Sequence, residues 1–493
     1  MSKTEKMHTY KSFVSLDLVL RNSCYLLLLG ILAMLGVACL SFTACAEEVS
    51  SSVHVQKGDS SVIQGDPFAV EGDSFDSLIE ESPELSTLDD ENEFALGGYL
   101  ESRNQLSLVH FAEPISLRQR LRLEGGWKRN EFSAFVSTDA DLEAAAYTWE
   151  GENRAKSFEF QEYYLTYDTE SLDMFIGRKI HRWGTGDGLN PLDLINPLDV
   201  RDPVAAGNAD NRVPVFLMST TYTVGAWSLE GILLPRGAVN DQLHQGNPWT
   251  SKGLRDLYTL EDQGELHLEG RDVPDEWFSD MEFGGKLTAT LGKIDLSFIA
   301  YSGFINSPLY KYSAGTAGVP SYTPVYPGFS AFGFNFASSL GDSSTLRGEF
   351  AYKPSYPVAI IEGDGIGRRD LWQGVLGVDY DYEGAYYLNI QFFADLFAGN
   401  LFGETGTVNS PRSRYGITYE LSGKYFNDDL KAGVRGSAYA SNDGTLTDIF
   451  SEYQFGDNWK LSSGVMIWTG DASGTMGQYD SNDTLYMTVR YSF

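Results

Sequence analysis

Cysteine is almost missing from this chain. Its three cysteines, Cys24, Cys39 and Cys45, fall within the first 45 of 493 residues. Once such a leader is removed no thiol remains, which excludes a disulfide framework, a thiolate metal site and a cysteine nucleophile. Histidine is scarce too. Past His8 the chain has only His54, His110, His181, His244 and His267, none in a His-Glu-x-x-His spacing, and no Gly-x-Ser-x-Gly elbow is present. The acids Asp187, Asp193, Asp199 and Asp202 lack regular calcium-loop spacing. These gaps point away from an enzyme, and no catalytic, cofactor or metal residue is assigned. Positive charge is short as well, with 36 Lys and Arg against 68 Asp and Glu and a formal net charge of -32. Nucleic acid is therefore not an expected partner. Beyond residue 46 no apolar run reaches the length of a membrane helix. That last absence leaves one membrane architecture open, because only alternate residues of a barrel wall meet lipid.

At the N-terminus, Lys3, Lys6, Lys11 and Arg21 precede an apolar run from Tyr25 to about Leu40, then Ala44-Cys45-Ala46 and acids. This is the layout of an export signal over 1–46. The run also approaches the length of a membrane anchor. Phe42-Thr43-Ala44-Cys45 loosely resembles a lipoprotein box, so acylation of Cys45 stays open. From 47 to 93 the chain has fourteen acids against Lys57 alone and few aromatics. Such a segment cannot bury enough apolar area to offset its chain entropy, and reads as a disordered periplasmic tether; a plug or docking segment near Phe75–Leu85 is the alternative.

From Phe94 the pattern changes to period-2 alternation. Candidate strands are 94–108, 115–128, 131–147, 158–168, 172–182, 213–222, 225–234, 281–290, 293–304, 329–339, 344–354, 370–380, 385–396, 412–424, 429–440, 446–456, 459–469 and 483–493. Links after even-numbered strands are tight, as at Arg129-Asn130, Leu291-Gly292 and Gly456-Asp457-Asn458; those after odd strands are mostly long, including 183–212, 235–280, 305–328 and 355–369. One-sided loop length is what a membrane barrel needs and a soluble sandwich does not. The expected fold is therefore all-β: a closed antiparallel transmembrane barrel of about 18 strands over 94–493, with both termini periplasmic. Its partners are outer-membrane lipid and lipopolysaccharide.

Facing follows from charge, since Arg or Lys against lipid at the bilayer midplane costs about 2–4 kcal/mol. On strand 115–128, Leu117, Leu121 and Leu123 then face lipid while Arg118, Arg120 and Arg122 face the bore; Arg103 joins them from the first strand. Arg178 and Arg182 are further pore-lining candidates, although Lys179 and His181 crowd the opposite face. Two readings stand. An unpaired arginine ladder concentrates positive potential and passes anions; a ladder paired with lumen acids merely balances the interior. Trp127, Trp227, Trp372, Trp459 and Trp468 suit the interfacial girdles, although some of them must simply be packing residues.

The last strand alternates Leu485, Met487, Val489, Tyr491 and Phe493 against Thr484, Tyr486, Thr488, Arg490 and Ser492. It resembles the closing strand of bacterial outer-membrane barrels, a resemblance that implies recognition of Phe493 by the barrel-assembly machinery. A second resemblance is carried by Gly177-Arg178, Trp183-Gly184, Asn190-Pro191 and Asn196-Pro197 with Asp199. Repeated Asn-Pro turns make an ordered loop, either a constriction or a latch that seals the wall. The motif is similar to that of alginate-export-like and uncharacterised porin-like outer-membrane barrels, with Lys179 departing where Gln is common. The resemblance implies a channel with an arginine-rich bore. A porin-like channel for passive diffusion or export of small or polymeric solutes, anionic or saccharide-like, is the expected function. A transporter of hydrophobic compounds and a non-conducting structural or adhesive barrel remain alternatives.

Overall fold

The computed structural model describes residues 93–110, 113–143, 145, 156–184, 189–200, 211–240, 243, 245–315, 318–360, 364–399, 413–440 and 443–493. The expected leader, Cys45 and most of the acidic segment lie outside the described residues, as do motif residues 185–188 and 201–203. The strands begin with β1 (Glu93–Ser107), β2 (Pro114–Arg129), β3 (Phe132–Glu143), β4 (Lys156–Asp168), β5 (Leu172–Lys179), β6 (Val215–Val224) and β7 (Trp227–Leu234). They continue through β8 (His267–Leu268), β9 (Glu282–Leu291), β10 (Ile294–Phe304), β11 (Leu309–Ser313), β12 (Ser321–Val325), β13 (Gly328–Ser339) and β14 (Ser344–Ala359). The series ends with β15 (Ile366–Tyr382), β16 (Tyr386–Phe397), β17 (Arg414–Tyr425), β18 (Leu430–Tyr439), β19 (Gly444–Phe455), β20 (Trp459–Thr469) and β21 (Thr484–Ser492).

Eighteen of these strands form one antiparallel sheet; β8, β11 and β12 form a separate small one. Each of the eighteen pairs with its sequence neighbour, and β1 pairs with β21, with Tyr99 opposite Ser492 and Ser107 opposite Thr484. The sheet thus closes on itself and leaves no free edge, as lipid requires. The final residue sits in the seam: Phe493 N–H donates to the Gly98 carbonyl at 2.9 Å and Gly98 N–H to the Phe493 carbonyl at 3.1 Å.

All eighteen expected wall strands are present. Local chemistry explains the tight turns, with Asn130 left-handed between β2 and β3 (φ 51°) and Gly292 between β9 and β10 (φ 71°). One expected long link is shorter than the sequence suggested. The span 355–369 is expected as a loop, yet β14 continues to Ala359 and β15 already starts at Ile366. Ser355 adopts a left-handed conformation (φ 49°), where the register slips between Lys353 and Tyr356, so a bulge absorbs Pro354, while Pro357 sits in the resumed ladder opposite Arg368.

The outside of the wall is apolar. Leu96 is 87% exposed, Leu229 58% and Phe392 52%, and the other outward rows carry Leu, Ile, Val, Met and Phe. A surface this apolar belongs in a bilayer rather than in water. Buried apolar side chains gather instead in two inner clusters, each where a long connection folds back against the inner wall.

Candidate pore and its inward-folded segments

The inner face of β1–β3 carries the predicted arginine ladder, and the register pairs it with acid. The β2–β3 hairpin sets Arg118 opposite Glu143, Arg120 opposite Asp141 and Arg122 opposite Asp139. Arg122 Nε lies 2.6 Å from Asp139 Oδ1, Arg120 Nε 2.9 Å from Asp141 Oδ1, and Arg118 Nη2 2.6 Å from Asp141 Oδ2. Arg103 meets Glu101 at 3.1 Å, and Arg490 of the closing strand meets the same carboxylate at 2.7 Å. The Arg490 guanidinium also lies over the Tyr99 ring, 4.2 Å from its centroid. On the far side of the seam Arg435 binds Asp448, Lys431 binds Glu420 and Lys460 binds Glu452. Such rows hold the bore polar while cancelling most of its local potential. Four of the six pore-lining candidates, Arg103, Arg118, Arg120 and Arg122, therefore sit on the inner face in ion pairs.

The other two do not join them. On β5, Phe175 packs against an inner apolar cluster while Met174 and Ile176 are exposed. Arg178 shares the parity of Met174 and Ile176 and pairs across with Tyr163 and Phe216. It is an outward residue at the strand end, its Nε donating to the Pro214 carbonyl at 3.1 Å. Apolar residues occur on both faces of this strand, so alternation alone misassigned it. Its neighbour Lys179 points inward, over the Tyr164 ring at 4.5 Å. Arg182 is half-buried beyond the strand, where facing by alternation no longer applies. Of the tryptophans, Trp468 is a packing residue that faces inward, whereas Trp227 and Trp459 are exposed on the outside.

The segment after β5 folds into the barrel. Trp183 and Leu192 are fully buried, packed with Leu194 and Ile195 against the inward residues Val215, Leu217, Ile232, Leu234, Ile299, Tyr301, Ala331 and Ala351. Trp183 Nε1 donates to Glu230 Oε2 at 2.9 Å, and His181 Nε2 lies 2.6 Å from Glu230 Oε1. Lys286 completes the set 3.6 Å from the same carboxylate. The Leu192 N–H reaches Glu349 on β14 at 3.4 Å. Glu230 and Glu349 are interior to their strands, so the segment descends well into the bore.

The motif residues build this descent. Asn190 folds over its own turn, its Oδ1 accepting from Leu192 N–H at 3.1 Å and its Nδ2 donating to the Trp183 carbonyl at 3.2 Å. Its carboxamide occupies the space a Cβ on Gly184 would need, and Gly184 is left-handed (φ 94°). Asn196 ties both arms, accepting from His181 N–H at 2.8 Å and donating to the Val213 carbonyl at 2.9 Å. Pro191 and Pro197 are buried beside it, Asp199 N–H donates to the Asn211 carbonyl, and Arg212 clamps Asp193 at 2.6 Å.

A second connection, 235–281, was not anticipated as part of the site. It leaves β7, contains helix α1 (Lys252–Asp262) and returns to β9. Between them it packs Leu243 and Trp249 against Ile115, Met466, Trp468 and Tyr486 of β2, β20 and β21. Those strands stand across the ring from β7 and β9, so the connection bridges the mouth. Trp249 lies 5.5 Å from Trp468 and 5.8 Å from Tyr479, ring to ring. Burial raises the Tyr479 phenol above its ordinary range, so it stays neutral in this contact. Asn482 Nδ2 donates to the Pro248 carbonyl at 2.7 Å, and the Lys252 N–H to Gln478 Oε1 at 2.9 Å. The exposed face of this bridge is acidic, with Asp256, Asp262, Glu265, Glu269, Asp275 and Glu276. Among the described residues no cluster of His, Cys, Asp or Glu could hold a metal ion.

The sequence matches no protein-family model and no curated protein. Solved barrels do align with it. Salmonella typhi OmpF in complex with daunomycin is 11% identical over 82% of this chain and 99% of its own, with a TM-score of 0.40. Acinetobacter baumannii OccAB2 is 11% identical over 82% and 98%, with a TM-score of 0.48. A mutant Rh. blastica porin is 12% identical over 81% and 100%, with a TM-score of 0.37. Likeness at this level is one of architecture and carries no weight for function.

Proposed function

We propose that this chain is an outer-membrane channel for passive diffusion of small, polar, net-neutral solutes of the saccharide-like class. The observation that carries the reading is the combination of an apolar outside with an inner face of ion-paired charge. A polar inner wall suits water and hydroxylated solutes, while pairing removes the field that would select anions. The acidic bridge at the mouth adds repulsion toward anions. Of the two expected solute classes the saccharide-like one is thus favoured over the anionic one. In this reading the 183–212 segment is the constriction and its Asn-Pro turns hold it rigid. The barrel lies with both termini in the periplasm, where the exposed Phe493 ring is available to assembly machinery, and the acidic 47–93 segment is a tether there.

A planar bilayer containing the refolded protein tests this. We expect steady conductance with a reversal potential near zero or slightly cation-selective in a salt gradient, and liposome swelling in a neutral monosaccharide. Strong anion preference would refute the charge-pair argument. Absence of both conductance and swelling would leave a non-conducting barrel as the better reading.

A further inference from the structure

The lipid-facing rows are mostly apolar, and outward hydroxyls pair with one another, as Ser451 does with Ser463 at 3.0 Å; beside the closing seam the rows are interrupted by carboxamides. Ser102 and Asn104 on β1 and Gln119 on β2 share the outward face with Leu100, Leu121 and Leu123. Gln119 Nε2 donates to Ser102 Oγ at 2.9 Å, and Asn104 Nδ2 donates to the same hydroxyl at 3.2 Å. Ser102 stands opposite both Gln119 on β2 and Val489 on β21, well inside all three strands. Outward apolar residues flank the cluster along the strands, Leu100 and Leu121 on one side and Leu106 and Leu117 on the other, so it lies within the apolar belt. Among the described residues neither carboxamide oxygen has a donor, and each amide retains an unused N–H. Hydrocarbon can satisfy none of these groups, and leaving them bare in lipid is unfavourable.

A groove of about 650 Å³ runs from this cluster toward the rim, lined by Leu100, Leu121, Leu142, Val489, Trp459 and Tyr491 among others. Polar groups and a concavity thus coincide on one stretch of outer wall.

We propose that this seam face docks a second copy of the same chain in the membrane, with Gln119 at a twofold axis along the bilayer normal. A carboxamide is both donor and acceptor, so it is complementary to itself. A twofold axis along the normal keeps every residue at its own depth and sets Gln119 against Gln119 of the partner subunit. The interface contact then satisfies the groups that lipid leaves bare, while the groove takes apolar side chains from the facing wall. A single acyl chain could fill the groove but offers the carboxamides no hydrogen bond.

The test uses the full-length protein in mild detergent. Analytical ultracentrifugation of the native chain should show a dimer, and Gln119→Leu with Asn104→Leu should lower the dimer fraction at least tenfold at equal protein-to-detergent ratio. Because those changes leave the inner face untouched, single-channel conductance should persist, which separates failure of the interface from failure of the channel reading. Gln119→Cys should form an intermolecular disulfide under mild oxidation, above the background set by the native cysteines. Leu229→Cys, elsewhere on the outer wall, should stay at that background. A native monomer overturns the proposal, as does association that survives the double substitution without a Gln119→Cys crosslink. So does a monomer carrying a bound lipid. A larger ring also counts against it, because higher cyclic symmetry does not bring the Gln119 side chains together.

Discussion

Two stretches of the same wall solve the problem of an interior in opposite ways. Along β1–β3 and β17–β21 the inner face is charged, and neighbouring strands neutralise each other across the register. Along β6–β14 the inner face carries an apolar patch among charged groups such as Glu230, Lys286 and Glu349, and a folded-in segment covers that patch with Trp183, Leu192 and Ile195. Both stretches have the same alternation and the same lipid-facing side. What differs is where the inner row finds its partners: in the adjacent strand for one, in a distant connection for the other. The first arrangement leaves a wettable surface; the second narrows the bore.

The largest effect is expected where the second arrangement is broken. Trp183→Ala removes a fully buried indole from the apolar cluster and its hydrogen bond to Glu230. A Trp→Ala change of this kind costs about 3–5 kcal/mol. We expect the inward segment to lose its seat, so that unitary conductance rises several-fold and thermal unfolding in detergent comes earlier. Unchanged conductance would show that the segment does not narrow the path, and the two stretches would then be equivalent.

Next comes the charged stretch. Asp139 is 1% exposed and serves both Arg120 and Arg122. Asp139→Asn keeps the shape and removes the charge, leaving two guanidinium groups under-compensated. Breaking a buried pair from one side costs about 3–5 kcal/mol, and the wider polar network here should hold the loss to the lower end. The sign of the selectivity change is the sharper readout. Reversal potential should move toward anions for Asp139→Asn and toward cations for Arg122→Gln. Movement of both in one direction would sink the claim that pairing neutralises this wall.

How much of this was legible in the sequence differs between the same two stretches. The wall itself was, since alternation and turn residues such as Asn130 and Gly292 are local signals. The neutral ladder was legible as one of the two readings of the arginines, but without Asp139 and Asp141 named as their partners. A tight turn at Asn130 and Glu131 fixes the β2–β3 register, and that register alone sets Arg122 against Asp139 and Arg120 against Asp141. Attention to the arginines on one strand missed the acids on the next. Arg178 was misplaced because Phe175 and Lys179 put an apolar and a basic residue on the inner face, opposite Met174 and Ile176. The seats of Trp183 and Trp249 were not readable in principle, because each meets strands far away in sequence and no local pattern names them.

The bridge across the mouth joins the two stretches, and its anchor tests whether they act together. Asn482 donates to the Pro248 carbonyl beside the Trp249, Trp468 and Tyr479 rings. Asn482→Ala removes one neutral hydrogen bond, about 1 kcal/mol. That is too little to unfold the barrel, but it is a several-fold change in the ratio of seated to released bridge. Current recordings should therefore show more frequent transitions between conductance levels, with the reversal potential unchanged because no charge is altered. The converse is a crosslink: Lys252→Cys with Gln478→Cys, at the two positions where the Lys252 N–H donates to Gln478 Oε1, joins the helix start to the far wall. Oxidation should suppress those transitions and reduction restore them. If neither change alters the recordings, the bridge is a fixed part of the mouth, and the charged and covered walls contribute to conductance independently.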